Sequence, residues 1–324
     1  MKRKPVILAL SMVMIFSAMT GCFAGTQDAE TVRLGIIQII DNGAFTDMRE
    51  GFIARMRELG YGEDRLDIDY RNAGGDAGTL HSICQSMVSA RKDVIVSIAT
   101  PATQAIVNME SGIPVFFISV SNPVGAGVIT DMSKPDKLAT GTSNAIPVEE
   151  MFRLADRLTP GYETYGVIYS PGEINSVTTI ENAKRYMDAN GIAYREAVVT
   201  ASSEVQQATQ ALAGRVDVIF VPNDSIVQNA MAQVAEVARD AKIPVYGSSA
   251  VMVASGAFAT ISIDDPTIGA MTADMVHEYL SGKPIEDIPS VVVSDFTMVI
   301  NKTTADAIDV TLPDDILSNA VLLD

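Results

Sequence analysis

The chain has 324 residues, two cysteines, no tryptophan and a formal net charge of −17 at pH 7. That charge excludes nucleic acid as a partner, because the phosphates would be repelled. A single cysteine beyond position 22 rules out an intrachain disulfide framework and a cysteine metal site.

The first segment reads as an export signal. Lys2, Arg3 and Lys4 form a basic start, residues 6–19 are apolar, and Thr20-Gly21-Cys22 follows. The apolar run is short of the ~20 residues that a membrane span needs. The Thr-Gly-Cys ending resembles a bacterial lipobox, which makes 1–21 a lipoprotein signal, Cys22 the lipidated first residue and 22–30 an anchor linker. Ordinary cleavage near Ala24, with Cys22 lost, is the alternative. Removing the three basic residues takes the mature chain to about −20, which suits a self-repelling protein outside the cytoplasm. The 303 residues after 21 call for two domains.

From residue 32 short β-rich runs alternate with longer segments of helical period. The pattern predicts strands at 32–40, 66–70, 94–98 and 114–118, with helices at 44–59, 76–90 and 101–109. After 162 the rhythm restarts, with strands at 165–169, 193–199, 216–221 and 244–246 and helices at 175–189, 204–212 and 225–240. Such alternation implies βαβ units with right-handed crossovers and parallel sheets. The expected fold class is α/β, two Rossmann-like lobes. Between them lie the loop Ser121-Asn122-Pro123-Val124-Gly125-Ala126-Gly127 and a helix at 147–158. The Gly-Ala-Gly lacks the spacing and the following Lys-Ser/Thr of a phosphate loop.

The stretch from Gly166 to Ala183 organises the rest. An apolar run, Val167-Ile168-Tyr169, breaks at Ser170-Pro171-Gly172, and a helix starts near Glu173, Asn175 and Ser176. Bare N–H groups and a polar side chain at such a turn favour a small anion; capping of the helix alone is the other role open to these residues. The same device recurs at Thr100 to Gln104, at Ile118-Ser119, at Val221-Pro222-Asn223-Asp224-Ser225 and at Tyr246-Gly247-Ser248-Ser249. Facing each other across two lobes, these turns would line a cleft suited to a zwitterion. Asp224 is then expected at the ligand's ammonium and the Asn175-Ser176 helix start at its carboxylate; a plain helix cap is the alternative for Asp224.

Catalytic signatures are missing. The chain has no GxSxG, HExxH or CxxC, and His81 and His277 stand far apart. Asp41, Asp47 and Glu50 read as a solvated helix start, Asp264 and Asp265 as caps, and Cys84 as a small buried residue. The reading is a binding protein, not an enzyme, with no cofactor and no metal.

Taken together, GIIQII, ATPATQA, SNPVGAG, YSPGEINS, the Gln206-Gln207 pair, VPNDS and VINKTTAD resemble the substrate-binding lipoproteins of bacterial ABC importers. The branch is the one whose better-known members bind tryptophan, tyrosine or phenylalanine. The resemblance implies a type I periplasmic-binding-protein fold, with one lobe at 31–143 plus about 263–283. The other lobe would span 144–262 plus about 291–310, with a strand at 291–300 and a C-terminal tail at 311–324. Hinges would fall near 121–143, 261–264 and 284–290. It implies Thr100, Thr103 and Ser119 at the ligand from the first lobe, with Gln38 ending the first strand and Phe45 stacking on a side chain. From the second lobe it implies Glu173, Asn175, Ser176 and Asp224. One departure is visible: after Tyr246-Gly247-Ser248, where many relatives carry an acid, this chain has Ser249. The partners implied are an amino acid, an ABC permease with its ATPase, and the membrane through the lipid anchor of a monomer. A ligand-sensing receptor presenting the same lobes to a signalling partner is the alternative.

Overall fold

The computed structural model describes residues 31–145 and 147–324. The signal at 1–21, Cys22 and the linker at 22–30 lie outside the described residues.

The first half opens with β1 (Val32–Gln38), α1 (Gly43–Glu58), β2 (Leu66–Asn72) and α2 (Ala77–Ser89). It continues with β3 (Val94–Ile98), α3 (Ala99–Val107), β4 (Val115–Ile118) and β5 (Ala139–Ser143). Then α4 (Val148–Leu158) leads into β6 (Thr164–Tyr169), α5 (Ile174–Asn190), β7 (Ala193–Val198), α6 (Val205–Leu212) and β8 (Val218–Phe220). Next come α7 (Ser225–Asn229), α8 (Met231–Asp240), β9 (Val245–Tyr246), α9 (Ala250–Ala254), β10 (Ala259–Ser262) and α10 (Asp265–Leu280). The chain closes with β11 (Val291–Val292), β12 (Thr297–Asn301), α11 (Lys302–Ala307), α12 (Asp314–Asn319) and β13 (Val321–Leu323).

Two sheets result, as the alternation of strands and helices predicts. The first runs β2-β1-β3-β4-β5-β11 and is parallel throughout. The second runs β7-β6-β8-β9-β10-β12-β13, and only its β10–β12 pair is antiparallel. Helices cover both faces, so the central strands are buried on both sides: all five residues of β3 and all three of β8 are inaccessible. Neighbours along β6 and β8 point to opposite faces. Val167 and Val218 join one apolar cluster, Ile168 and Ile219 the other.

Each sheet reverses its strand order once, between β1 and β3 in the first and between β6 and β8 in the second. Loops beyond the carboxyl ends of strands flanking such a reversal part to leave a crevice. In both lobes the polar turns stand at those ends.

The chain passes between the sheets three times, at 144–147, 263–264 and 293–296. Two of these crossings differ from the expected hinges at 121–143 and 284–290. The first sheet keeps its strand up to Ser143, and Val293 N–H still donates to Ser143 O at 2.9 Å. The expected strand at 291–300 is therefore two strands in two sheets, broken at Ser294-Asp295. The last residues also belong to the fold, since β13 pairs with β12 at the edge of the second sheet.

One contact fixes the wall of the crevice in the first lobe. A Cβ on Gly51 would lie 2.3 Å from the Pro266 carbonyl oxygen, and one on Gly269 would lie 2.0 Å from the Met48 carbonyl oxygen. Only glycine lets α1 and the start of α10 approach so closely. That approach sets Phe45 and Met48 beside Asp265 and Ile268. No helix among the described residues is long and apolar enough to cross a membrane.

Candidate functional site

A cavity opens between the carboxyl ends of the two sheets, where open parallel sheets bind their ligands. The first lobe supplies Ala44, Phe45 and Met48 from α1, Ala99 and Thr100 from the start of α3, and Ser119 after β4. The second supplies Glu173 and Asn175 after β6, Asn223 to Ser225 and Gln228 after β8, and Ser248 and Ser249 after β9. Ser121, Asn144, Ser262, Ile263, Asp265 and Ile268 complete the wall, which holds three carboxyl groups and no lysine, arginine or histidine.

Asp224 is the staple of the second-lobe wall. It is 1 % exposed, and both carboxylate oxygens are committed. One accepts from Val227 N–H at 3.0 Å, which caps α7. The other accepts from Ser170 N–H at 2.6 Å and from the Ser176 hydroxyl at 2.7 Å. The bonds tie the turn after β6 to the turn after β8, across the reversal of strand order. Capping and site-building are thus one role here. Burial raises the Asp224 pKa, and the N–H and O–H donors act against that rise.

Glu173 stands next to it, 7 % exposed. It accepts from Ser225 N–H at 3.2 Å, from the Ser225 hydroxyl, and from Asn175 Nδ2 at 3.4 Å. Burial, and then the negative charge of Asp224, push its pKa up to about 7. Two buried polar atoms on this wall have no partner among the described residues, the acceptor Asn175 Oδ1 and the donor Gln228 Nε2. Leaving such atoms unpaired costs free energy, so a cavity that does so is complementary to a ligand carrying both a donor and an acceptor.

The opposite wall is strained. Ala99 and Ser119 have φ of +68° and +64°, in the left-handed region that non-glycine residues avoid. Strain of this kind concentrates at functional sites. Helix α3 has no side-chain cap, and its third residue, Pro101, has no N–H.

Of the residues singled out from sequence, Phe45, Thr100, Ser119, Glu173, Asn175 and Asp224 line the cavity. Gln38, Thr103 and Ser176 stand behind it. Gln38 accepts from Arg49 at 3.0 Å, Thr103 shares a hydrogen bond with Ser97 at 2.8 Å, and the Ser176 hydroxyl serves Asp224. Sequence reasoning missed Gln228 and Asp265, whereas Ser248 and Ser249 belong to a turn it expected at the cleft. Gln228 lies four residues after the Asp224 cap on the same helix, a spacing that turns it toward the same wall.

A sequence profile of the family described as "ABC transporter substrate binding protein" matches residues 33–322. The "Tyrosine-binding protein" of Clostridioides difficile (strain R20291) is 32% identical over 319 residues, covering 95% of this chain and 92% of that protein. A solved ABC domain of Streptococcus pneumoniae in complex with L-Trp aligns over 91% of this chain and 100% of its own, at 29% identity and a TM-score of 0.87. A ligand-free, open substrate-binding protein of Clostridium difficile with adhesive properties aligns over 90% of this chain and 99% of its own, at 32% identity and a TM-score of 0.70. The chain superposes better on the relative solved with L-Trp than on the ligand-free, open one.

The buried carboxyl groups generate a prediction about the ligand-free protein. Glu173 has a folded pKa near 7, above the usual 4.5, so the folded state holds its proton more tightly than the unfolded chain. Its contribution is fully present below about pH 4.5 and is lost as the pH rises through about 7. Ligand-free stability should therefore fall between pH 5 and 8, by on the order of 1–3 kcal/mol. Denaturant titrations of the wild type and Glu173→Gln across that window check this: the variant should show the smaller slope, and equal slopes would reject it.

Proposed function

The chain belongs to the ABC transporter substrate-binding proteins, and we propose that it closes on an aromatic amino acid and carries it to an ABC permease. Members of this family bind solutes outside the cytoplasm and are not enzymes. The observation that carries the ligand assignment is the cavity wall without a base, lined by two residues, Asn175 and Gln228, that each keep a buried polar atom without a partner among the described residues.

In this reading the ligand's ammonium sits against Asn175 Oδ1 and Glu173. An ammonium there neutralises a site that otherwise holds two buried carboxyl groups and no cation. The ligand's carboxylate belongs on the other wall, at the uncapped start of α3 with the Thr100 and Ser119 hydroxyls, and on Gln228 Nε2. The Asn175-Ser176 helix start does not suit a carboxylate, since Glu173 and Asp224 already face it. Ala44, Phe45, Met48, Ile263 and Ile268 form an apolar side for the ligand's side chain. Relatives that bind tyrosine or L-Trp support an aromatic one. Gln38, Thr103 and Ser176 position the wall rather than touch the ligand. A ligand held by both walls favours the closed form over the open one, and a permease with its ATPase would read the closed form.

We also propose that the mature protein starts at a diacylated Cys22 and works as a monomer held at the membrane. Two acyl chains hold a soluble domain there where one would not.

Two measurements check these readings. Aromatic amino acids at ~100 times their dissociation constant should add roughly 2.7 kcal/mol of stability, a rise in Tm on the order of 5 °C. The absence of a shift with tyrosine, tryptophan and phenylalanine alike would reject the ligand class. For the anchor, Cys22→Ala should move the protein out of the membrane fraction; unchanged fractionation would remove the lipid anchor from the account.

A further inference from the structure

Three carboxyl groups face the cavity, and two are held by donors of the protein. The third, Asp265, has no hydrogen-bond donor and no ion-pair partner among the described residues. The local sequence explains why. Asp265 is the first residue of α10, and Asp264 before it takes the capping bond from Thr267 N–H at 3.0 Å. Pro266 after it has no N–H to offer. The charges that act on Asp265, those of Asp47 and Asp264, are also negative.

Its surroundings in the cavity are apolar. Ile263 and Ile268 flank it, and the glycine contacts between α1 and α10 bring Phe45 and Met48 to the same end. Burial, and then the two neighbouring acids, push its pKa up to about 8. Charged or neutral, the carboxyl keeps an acceptor oxygen. Asp265 is only partly buried in the ligand-free protein, so a ligand that covers its carboxyl strips it of water and must supply a partner to offset that cost.

Building on the site reading above, we propose that Asp265 is a specificity-determining residue that accepts a hydrogen bond from an O–H or N–H at the far end of the ligand's side chain. The ligand is then tyrosine or tryptophan in preference to phenylalanine. A phenol or an indole fills the apolar end and satisfies Asp265. Phenylalanine fills the same space and buries the carboxyl without a partner. Sites that hydrogen-bond a substrate group reject the analogue that lacks it far more strongly than apolar pockets sort by size.

Calorimetry on the intact protein with L-tyrosine, L-tryptophan and L-phenylalanine tests this. The wild type should bind tyrosine or tryptophan at least about tenfold tighter than phenylalanine. Asp265→Leu should bring that ratio to within about threefold, mainly by tightening phenylalanine and weakening the other two. Asp265→Asn keeps the shape and an acceptor, and should retain part of the preference. Melting curves without ligand confirm folding; should the leucine variant not fold, the wild-type ratio and the asparagine variant still decide. Equal wild-type affinity for phenylalanine, or a ratio unchanged in Asp265→Leu, would overturn the role of Asp265 while leaving the amino-acid site intact. Failure of all three to bind the wild type would overturn the site reading and this inference with it.

Discussion

The structure depends on burying carboxyl groups where no base can reach them. Asp224 solves the problem internally, with two N–H groups and one hydroxyl around its oxygens. Those bonds hold two strand–helix turns in register and so define the second-lobe wall. Glu173, beside it, is only partly compensated: burial and the Asp224 charge raise its pKa despite its donors. A wall of this kind is complementary to a cation with donors of its own, which is what an amino group provides. In the proposed site the remaining negative character favours an ammonium over a neutral donor.

The fold supplies the geometry that makes this possible. Parallel strands buried on both faces leave only their ends for polar chemistry, and the reversal of strand order opens a crevice at those ends. Both lobes line the cavity, with most of its polar groups on the second, so neither encloses it alone. In the first lobe, Gly51 and Gly269 let two helices meet backbone to backbone, and this sets the apolar end of the cavity. The strained Ala99 and Ser119 backbones are held by β3, β4 and the residues behind them. In the proposed closure, recognition rests on strand ends and the motion falls to the three crossings between the sheets.

Much of the architecture was legible in the sequence because it rests on local rules. Runs such as Val94 to Ile98 announce doubly covered strands, and Asp224 and Asp264 announce helix starts. The polar turns that gather at the cavity were legible for the same reason, since strand–turn–helix chemistry is short-range. What escaped depends on tertiary approach. The division of 291–300 between two sheets is decided by pairing with Ser143 on one side and Ala259 to Ser262 on the other, which no local pattern reports. Gln38, Thr103 and Ser176 carry the right chemistry, yet partners inside the protein absorb it. Asp265 looked like an ordinary cap residue; only the structure shows that Asp264 does the capping and leaves Asp265 facing the cavity.

The central claim is that the second-lobe wall recognises an ammonium group. Calorimetric comparison of the tightest-binding aromatic amino acid with its deaminated analogue, for tyrosine 3-(4-hydroxyphenyl)propanoate, tests it most directly. The analogue keeps the carboxylate, the ring and its hydroxyl and loses only the amino group. The account predicts binding weaker by about 2–5 kcal/mol, a factor of thirty or more. An analogue that bound as tightly as the amino acid would contradict it, because Glu173 and Asn175 would then have no part in recognition.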